Sequence, residues 1–114
     1  MTIEEFIAKL NSTPLSVDFK ETMAVIEDHY YFTPTEFQNG DINNEAGQNS
    51  GSCKLFSFAQ LMGLDQLQTL NCFGDYYRID VLKHPNATDH QNIRNFIKYG
   101  WPGINFKGSA LSSK

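Results

Sequence analysis

Cysteine and long apolar runs are both scarce in this chain of 114 residues. The two cysteines, Cys53 and Cys72, are too few and too far apart for the disulfide framework of a small secreted domain. No apolar stretch approaches the roughly 20 residues of a membrane-spanning helix. The acidic, amphipathic N-terminus also differs from a secretory signal, which has a basic start and an apolar middle. The sequence therefore predicts a soluble protein, made in a reducing cytoplasm, with no membrane partner.

Positive charge is sparse and scattered. Nine lysines and arginines stand against thirteen acidic residues, which gives a net charge of −4, and the basic residues form no run. A protein that binds DNA or RNA normally needs a concentrated positive surface to neutralise phosphates. We therefore predict no nucleic-acid partner.

The composition is that of a globular domain. Hydrophobic residues make up 40% of the chain and include nine phenylalanines, enough for a core without a metal or a disulfide. The length fits one domain. We expect residues 1–106 to form a single helical domain and residues 107–114, which are small and polar, to form a flexible tail.

Apolar periodicity predicts about five helices. The clearest start is at Thr2, which with Glu5 makes a capping box before an apolar stripe. The same reasoning places four further helix starts at Ser16, Ser52, Asp65 and Thr88, with ends at Gly63 and Gly100 for the third and last helices. Residues 77–81 also alternate like a strand, but no second strand is evident as a partner, so we expect helix there.

Between Thr33 and Ser52 the helical pattern disappears and glycine and asparagine dominate. Both residue types accept left-handed backbone angles, so this stretch is predicted to be a long, shaped loop. An ordered loop of this length is often functional, and disorder is the alternative. The predicted fold is mostly α: a single compact domain of about five helices with a long, ordered, Asn/Gly-rich loop.

Cys53 is the strongest candidate for a reactive side chain. It lies where the third helix should begin, and a helix N-terminus favours the thiolate. His90 and Asn92 follow later in the chain, in the order nucleophile, base, orienting group of papain-like enzymes, with Asp89 as an alternative orienting group. The competing interpretation is that Cys53 is a buried, inert residue, since cysteine is among the most buried residue types.

No metal or cofactor is predicted. His84 and His90 flank Asp89, but the spacing matches no closed zinc pattern. The segment from Gly47 to Lys54 superficially resembles a phosphate-binding loop, yet its spacing differs and no strand precedes it. An incidental anion site at the helix start is compatible with this segment.

Several uncommon residue combinations, read together, resemble the HopJ family, which is named from a type III effector of plant-pathogenic bacteria. The resemblance covers almost the whole chain and is carried by Phe32–Phe37, Asn39-Gly40, Ala46-Gly47, Asn49–Lys54, Cys72–Gly74, Tyr76–Arg78, Asp80–Leu82, His90–Phe96 and Gly100-Trp101. It implies a bacterial protein that is injected into host cells. A capped helix at Thr2, in place of a serine-rich export segment, favours instead a role in the bacterial cytoplasm.

Two functional hypotheses follow. The first is a binding module that uses the loop and nearby aromatic and basic residues to hold a protein or a small molecule. Its candidate binding residues are Asn39, Asn49, Lys54, Tyr77, Arg78, Arg94 and Trp101. The second is a small cysteine-dependent hydrolase or transferase that uses Cys53, His90 and Asn92.

Overall fold

Five α-helices and five short strands make up the fold in the computed structural model, which describes every residue from Met1 to Lys114. The helices are α1 (Ile3–Ser12), α2 (Phe19–His29), α3 (Ser50–Met62), α4 (Gln66–Asn71) and α5 (Gln91–Tyr99). The strands are β1 (Tyr30–Phe32), β2 (Phe37–Asn39), β3 (Ile42–Asn44), β4 (Ile104–Phe106) and β5 (Leu111–Ser113). Two 3₁₀ turns, Pro14–Ser16 and Trp101–Gly103, and a π-helical segment, Tyr76–Val81, complete the regular structure.

Three helices begin with a side chain that accepts a hydrogen bond from the first turn. Thr2 and Glu5 form the predicted capping box of α1, and Asp65 and Gln68 form that of α4. Helix α2 is capped by Asp18 rather than by Ser16, because a 3₁₀ turn occupies Pro14–Ser16 and delays the helix start. Such caps satisfy backbone N–H groups that have no partner within the helix.

The prediction of a mostly α fold is wrong, since the protein is an α+β domain. Helix accounts for 54% of the residues and strand for 13%, in two small antiparallel sheets. In one sheet β2 lies between β3 and β4, and in the other β1 pairs with β5. Each strand has three residues, so none is long enough to display the alternation by which a strand is recognised.

The predicted long loop contains a β-hairpin. Strands β2 and β3 pair with Asn39 opposite Ile42, which leaves Gly40 and Asp41 as the turn. Gly40 has a φ of +62°, a conformation that side chains with a Cβ rarely adopt. Strand β2 of this hairpin also pairs with β4, and there Phe37 lies opposite Phe106. Residues 50–52, placed in the loop by prediction, belong to the first turn of α3.

The C-terminal residues pair with the body of the protein. Strand β5 lies beside β1, with Leu111 opposite Phe32 and Ser113 opposite Tyr30. Ala110 and Leu111 are buried. The segment 107–114, for which a flexible tail is predicted, therefore supplies a strand and two residues of the core.

The helix predicted across residues 65–81 is interrupted at Gly74. Helix α4 ends at Asn71, and Gly74 has a φ of +63° before the π-helical segment begins. A Cβ added at Gly74 would lie 2.8 Å from the Cα of Asp18 and 2.9 Å from the backbone nitrogen of Phe19. Glycine is thus required here by the close approach of the start of α2, which fixes the position of Phe19.

The core is built around phenylalanine. The ring of Phe56, on α3, lies within 4.9–6.4 Å (centroid to centroid) of four other rings, those of Phe37, Phe73, Phe96 and Trp101. We call these five residues the phenylalanine cluster. It joins α3, α5, β2 and the segment after α4, so it holds the sheet and the helices together.

None of the helices combines the length and the apolar character needed to cross a bilayer.

Candidate functional site

A cavity of about 460 Å³ opens between the first turns of α3 and α5. This volume falls in the range of roughly 300–1,000 Å³ that is common for small-molecule sites. Its lining comes from parts of the chain that are far apart in sequence: Phe19, Ile42, Asn49, Gly51, Ser52, Phe73, Tyr76, His90, Gln91, Asn92 and Ile93.

One wall of the cavity is aromatic. The rings of Phe19 and Phe73 are stacked with centroids 6.1 Å apart, and the Tyr76 ring meets the Phe19 ring edge-on at 5.3 Å. The His90 ring lies 5.1 Å from that of Tyr76. A Cβ at Gly51 would come within 2.8 Å of the Phe19 ring, so the glycine lets this ring pack over the start of α3.

Five asparagines, two of which line the cavity, form a hydrogen-bonded cluster that we call the amide cluster: Asn39, Asn44, Asn49, Asn92 and Asn95. The amides of Asn44 and Asn92 bond to each other reciprocally, at 3.1 and 3.0 Å. The Asn39 amide donates to both oxygens of Asn92, and the Asn49 amide donates to Asn44 at 2.7 Å. Asn95 donates to the Asn39 carbonyl and to Asp41. These bonds tie the hairpin to the starts of α3 and α5.

The two helices that open onto the cavity begin differently from the other three. Their N-cap residues, Asn49 and His90, both have a φ of +50° and a ψ of +49°, and neither side chain caps its helix. The N–H groups of residues 50–52 in α3 and of Gln91 and Asn92 in α5 are therefore left for water or a ligand. Asn49 and His90 are the two non-glycine residues of the protein with positive φ.

His90 is held in place by acidic neighbours. Its Nε2 lies 3.0 Å from the Asp80 carboxylate and 3.8 Å from that of Asp89. A carboxylate accepts only, so Nε2 is the donor toward Asp80. Arg94 donates to Asp89 at 2.7 Å, and this hydrogen bond, with the nearby His90, lowers the pKa of the Asp89 carboxyl. The ring orientation at the cavity is thereby fixed.

The predicted catalytic set does not meet at the cavity. His90 and Asn92 line it, whereas Cys53 lies in the core with 1% of its surface exposed. The Cys53 thiol donates to the Thr35 carbonyl at 3.5 Å, and His90 bonds to Asp80. Burial raises the pKa of the Cys53 thiol, which opposes thiolate formation. Asn92 uses its side-chain amide within the amide cluster.

Two of the predicted binding residues belong to the amide cluster. Asn49 lines the cavity, and Asn39 is fully buried behind it. Lys54 lies on α3 with its ammonium 3.3 Å from the Glu27 carboxylate and 5.0 Å from the Phe32 ring centroid. Trp101 belongs to the phenylalanine cluster and donates from its indole to the Leu64 carbonyl at 2.9 Å.

The remaining predicted binding residues bond to the protein's own backbone or pack in the core. Arg78 donates to the carbonyls of Pro14, Val17 and Asn71, which fastens the turn before α2. Arg94 donates to the carbonyls of Asp89 and His84, which closes the loop before α5. Tyr77 is buried. None of these three lines the cavity.

Eight lining residues lie outside the predicted catalytic and binding sets: Phe19, Ile42, Gly51, Ser52, Phe73, Tyr76, Gln91 and Ile93. Gly51 and Ser52 carried a usable signal, because they open a helix within a Gly/Asn-rich segment. The aromatic residues carried none, since their spacing along a helix predicts a core face equally well.

The fold and the cavity define a small α+β domain with a pocket between two helix starts. The chain belongs to the HopJ type III effector protein family, whose model matches residues 3–111. It is similar to a solved structure described as the crystal structure of the unknown function protein VPA0580, with 54% sequence identity and a TM-score of 0.99. That match covers 100% of this chain and 95% of the other. Among curated proteins, no match is found.

Proposed function

We propose that this protein is a binding module that takes a small molecule into the cavity between α3 and α5. The observation that carries the proposal is the pairing of two helices whose first-turn N–H groups have no side-chain cap at one cavity. The Ser52 hydroxyl, which makes no hydrogen bond within the protein, adds a further open group to the same lining. A ligand would supply partners for groups that the protein leaves free.

The rigidity of the surroundings supports this proposal. Four of the five asparagines of the amide cluster are buried, and the cluster is bonded to both helix starts, so the cavity walls are built before any ligand arrives. A preformed site reduces the entropy lost on binding, which is how a small domain reaches useful affinity.

The proposal is tested by thermal denaturation of the protein with a chemically diverse set of small molecules. Ser52→Leu should fill part of the cavity and abolish the stabilisation given by any compound that raises the melting temperature. Ser12→Leu, a matched change at an exposed position, should leave it intact. Compounds that raise the melting temperature of the wild type and of the Ser52→Leu variant equally would show that the cavity is not the binding site.

Family membership also bears on where the protein acts. The family is described as that of the HopJ type III effector protein. Because type III effectors are delivered into host cells, we extend the proposal to delivery of this chain into a host cell. A reporter enzyme fused to the chain should reach host cells from bacteria with an intact secretion apparatus and not from a secretion-deficient strain. Equal signals from the two strains would place its action in the bacterium.

A further inference from the structure

The cavity lining contains no fully charged side chain. Its eleven residues include no lysine, arginine, aspartate or glutamate. Enclosing a charged group away from water is costly unless a partner neutralises it. The lining is therefore suited to a ligand that is held by surface contact and by neutral hydrogen bonds.

The aromatic wall includes one ring that solvent reaches, that of Tyr76. Tyr76 exposes 44% of its surface, in contrast to Phe73, which is 2% exposed and belongs to the core. The Phe19 ring meets the Tyr76 ring edge-on with centroids 5.3 Å apart, and the His90 ring lies tilted by 35° with its centroid 5.1 Å away. A ring held in this way can receive a second flat ring without losing side-chain freedom, since that freedom is already lost.

The other walls offer single hydrogen-bonding atoms of both kinds. The Ser52 hydroxyl and the Nδ1 atom of His90 make no hydrogen bond within the protein, and Gln91 uses only its amide nitrogen, which donates to the Thr88 carbonyl. Separate donors and acceptors next to a ring face match a heteroaromatic ring, which presents ring nitrogens and amino or amide groups along its edge.

We propose that the cavity binds a flat heteroaromatic ring with amide or amino groups on its edge, stacked on Tyr76, as in a nucleobase or nicotinamide. This inference rests on the proposed function, because it specifies the ligand class of the same cavity.

The test is an NMR titration of the ¹⁵N-labelled full chain with nicotinamide, adenine and cytosine, and with the matched pair benzamide and cyclohexanecarboxamide. The two compounds of the matched pair carry the same carboxamide and differ in whether the six-membered ring is flat and aromatic. The flat compounds should shift the backbone amides of Gly51, Ser52, Gln91 and Asn92, and cyclohexanecarboxamide should not.

Variants connect the shifts to the stacked ring. Tyr76→Leu should weaken binding of the flat compounds at least about fivefold, as expected for loss of one stacking partner. Tyr76→Phe keeps the ring and should retain most of the affinity. Tyr31→Leu removes a tyrosine that is 62% exposed and does not line the cavity, so it should have no effect.

The outcomes separate this inference from the proposed function. Equal shifts with benzamide and cyclohexanecarboxamide would overturn the preference for a flat ring, while binding at the cavity would stand. Binding of cyclohexanecarboxamide at these amides, without binding of any flat compound, would do the same. The absence of shifts with every class of compound would overturn both proposals.

Discussion

The phenylalanine cluster and the amide cluster both consist mainly of buried residues, but they constrain the protein in different ways. Phenylalanine rings gain from contact in many orientations, so Phe56 holds several elements together without dictating fine geometry. Amide hydrogen bonds are directional, so Asn92 and its partners fix where the hairpin stands relative to the starts of α3 and α5. The first cluster thus makes the domain stable, and the second gives the cavity its shape.

Truncation at the centre of the phenylalanine cluster should have the largest effect on stability. Phe56→Ala removes a fully buried ring that contacts four others, and it should lower the free energy of unfolding by about 3–5 kcal/mol. Urea denaturation measures the change. Leu67→Ala, at a side chain that is 60% exposed, is the control and should change stability by about 0.5 kcal/mol or less. Similar losses in the two variants would mean that Phe56 is not central to the core.

Truncation in the amide cluster should lower the free energy of unfolding somewhat less. An apolar side chain of similar size should not restore the lost stability. Asn92→Ala leaves buried amide groups of Asn39 and Asn44 short of partners and should cost about 2–3 kcal/mol. Asn92→Leu, of similar size, should be no better than Asn92→Ala, whereas Phe56→Leu should recover part of the Phe56→Ala loss. Asn86→Ala, on an exposed loop, is the control. An Asn92→Leu variant as stable as the wild type would contradict the directional account.

Cys53 and Cys72, which both lie in the hydrophobic core, should react slowly with thiol reagents in the folded protein. Burial raises the pKa of Cys53, and that of Cys72 to about 12, so little thiolate forms at neutral pH. Alkylation by iodoacetamide at pH 8 should be at least roughly tenfold slower in buffer than in denaturant. A folded-state Cys53 that reacts fast and titrates below its ordinary value would instead support the cysteine-enzyme hypothesis.

The smallest expected effect is on the pKa of Asp89, whose carboxylate lies beside His90 of the cavity lining. The folded-state pKa of Asp89 lies below the ordinary value of 3.8, so its contribution to stability is fully present above that pH and is lost as the pH falls through the lower folded value. An NMR titration of the Asp89 carboxyl carbon should show a midpoint below 3.8. Arg94→Gln should move the midpoint back up, since Arg94 supplies the main stabilising hydrogen bond. An unchanged midpoint would mean that Arg94 does not stabilise the charged form.

How far the sequence predicts this fold depends on the range of the interactions. Thr2 with Glu5 and Asp65 with Gln68 cap their helices through contacts three residues apart, and both helix starts were predicted. The sheets were missed because their strands are short and pair across long separations, as between Phe32 and Leu111. The hairpin turn did leave a local signal, since Gly40-Asp41 between two strands is a common two-residue turn sequence.

The site shows the same limit. His90 and Asn92 were identified from their order after Cys53 in the chain, and Asn49 was named for binding because it lies in the predicted Asn/Gly-rich loop. Their grouping depends on hydrogen bonds between residues 48 or more positions apart, such as Asn44 with Asn92. Tyr76 and Phe19 look like ordinary core residues in sequence, and only the folded structure brings them to the cavity.

The most direct test of the account is a crystal structure of the protein soaked with a mixture of small polar and aromatic compounds. We predict ordered ligand density between the first turns of α3 and α5, in contact with Ser52 and Tyr76, and none there in Ser52→Leu crystals. Ligand density elsewhere on the surface, with this cavity holding only water, would contradict the claim that the amide cluster shapes a binding site.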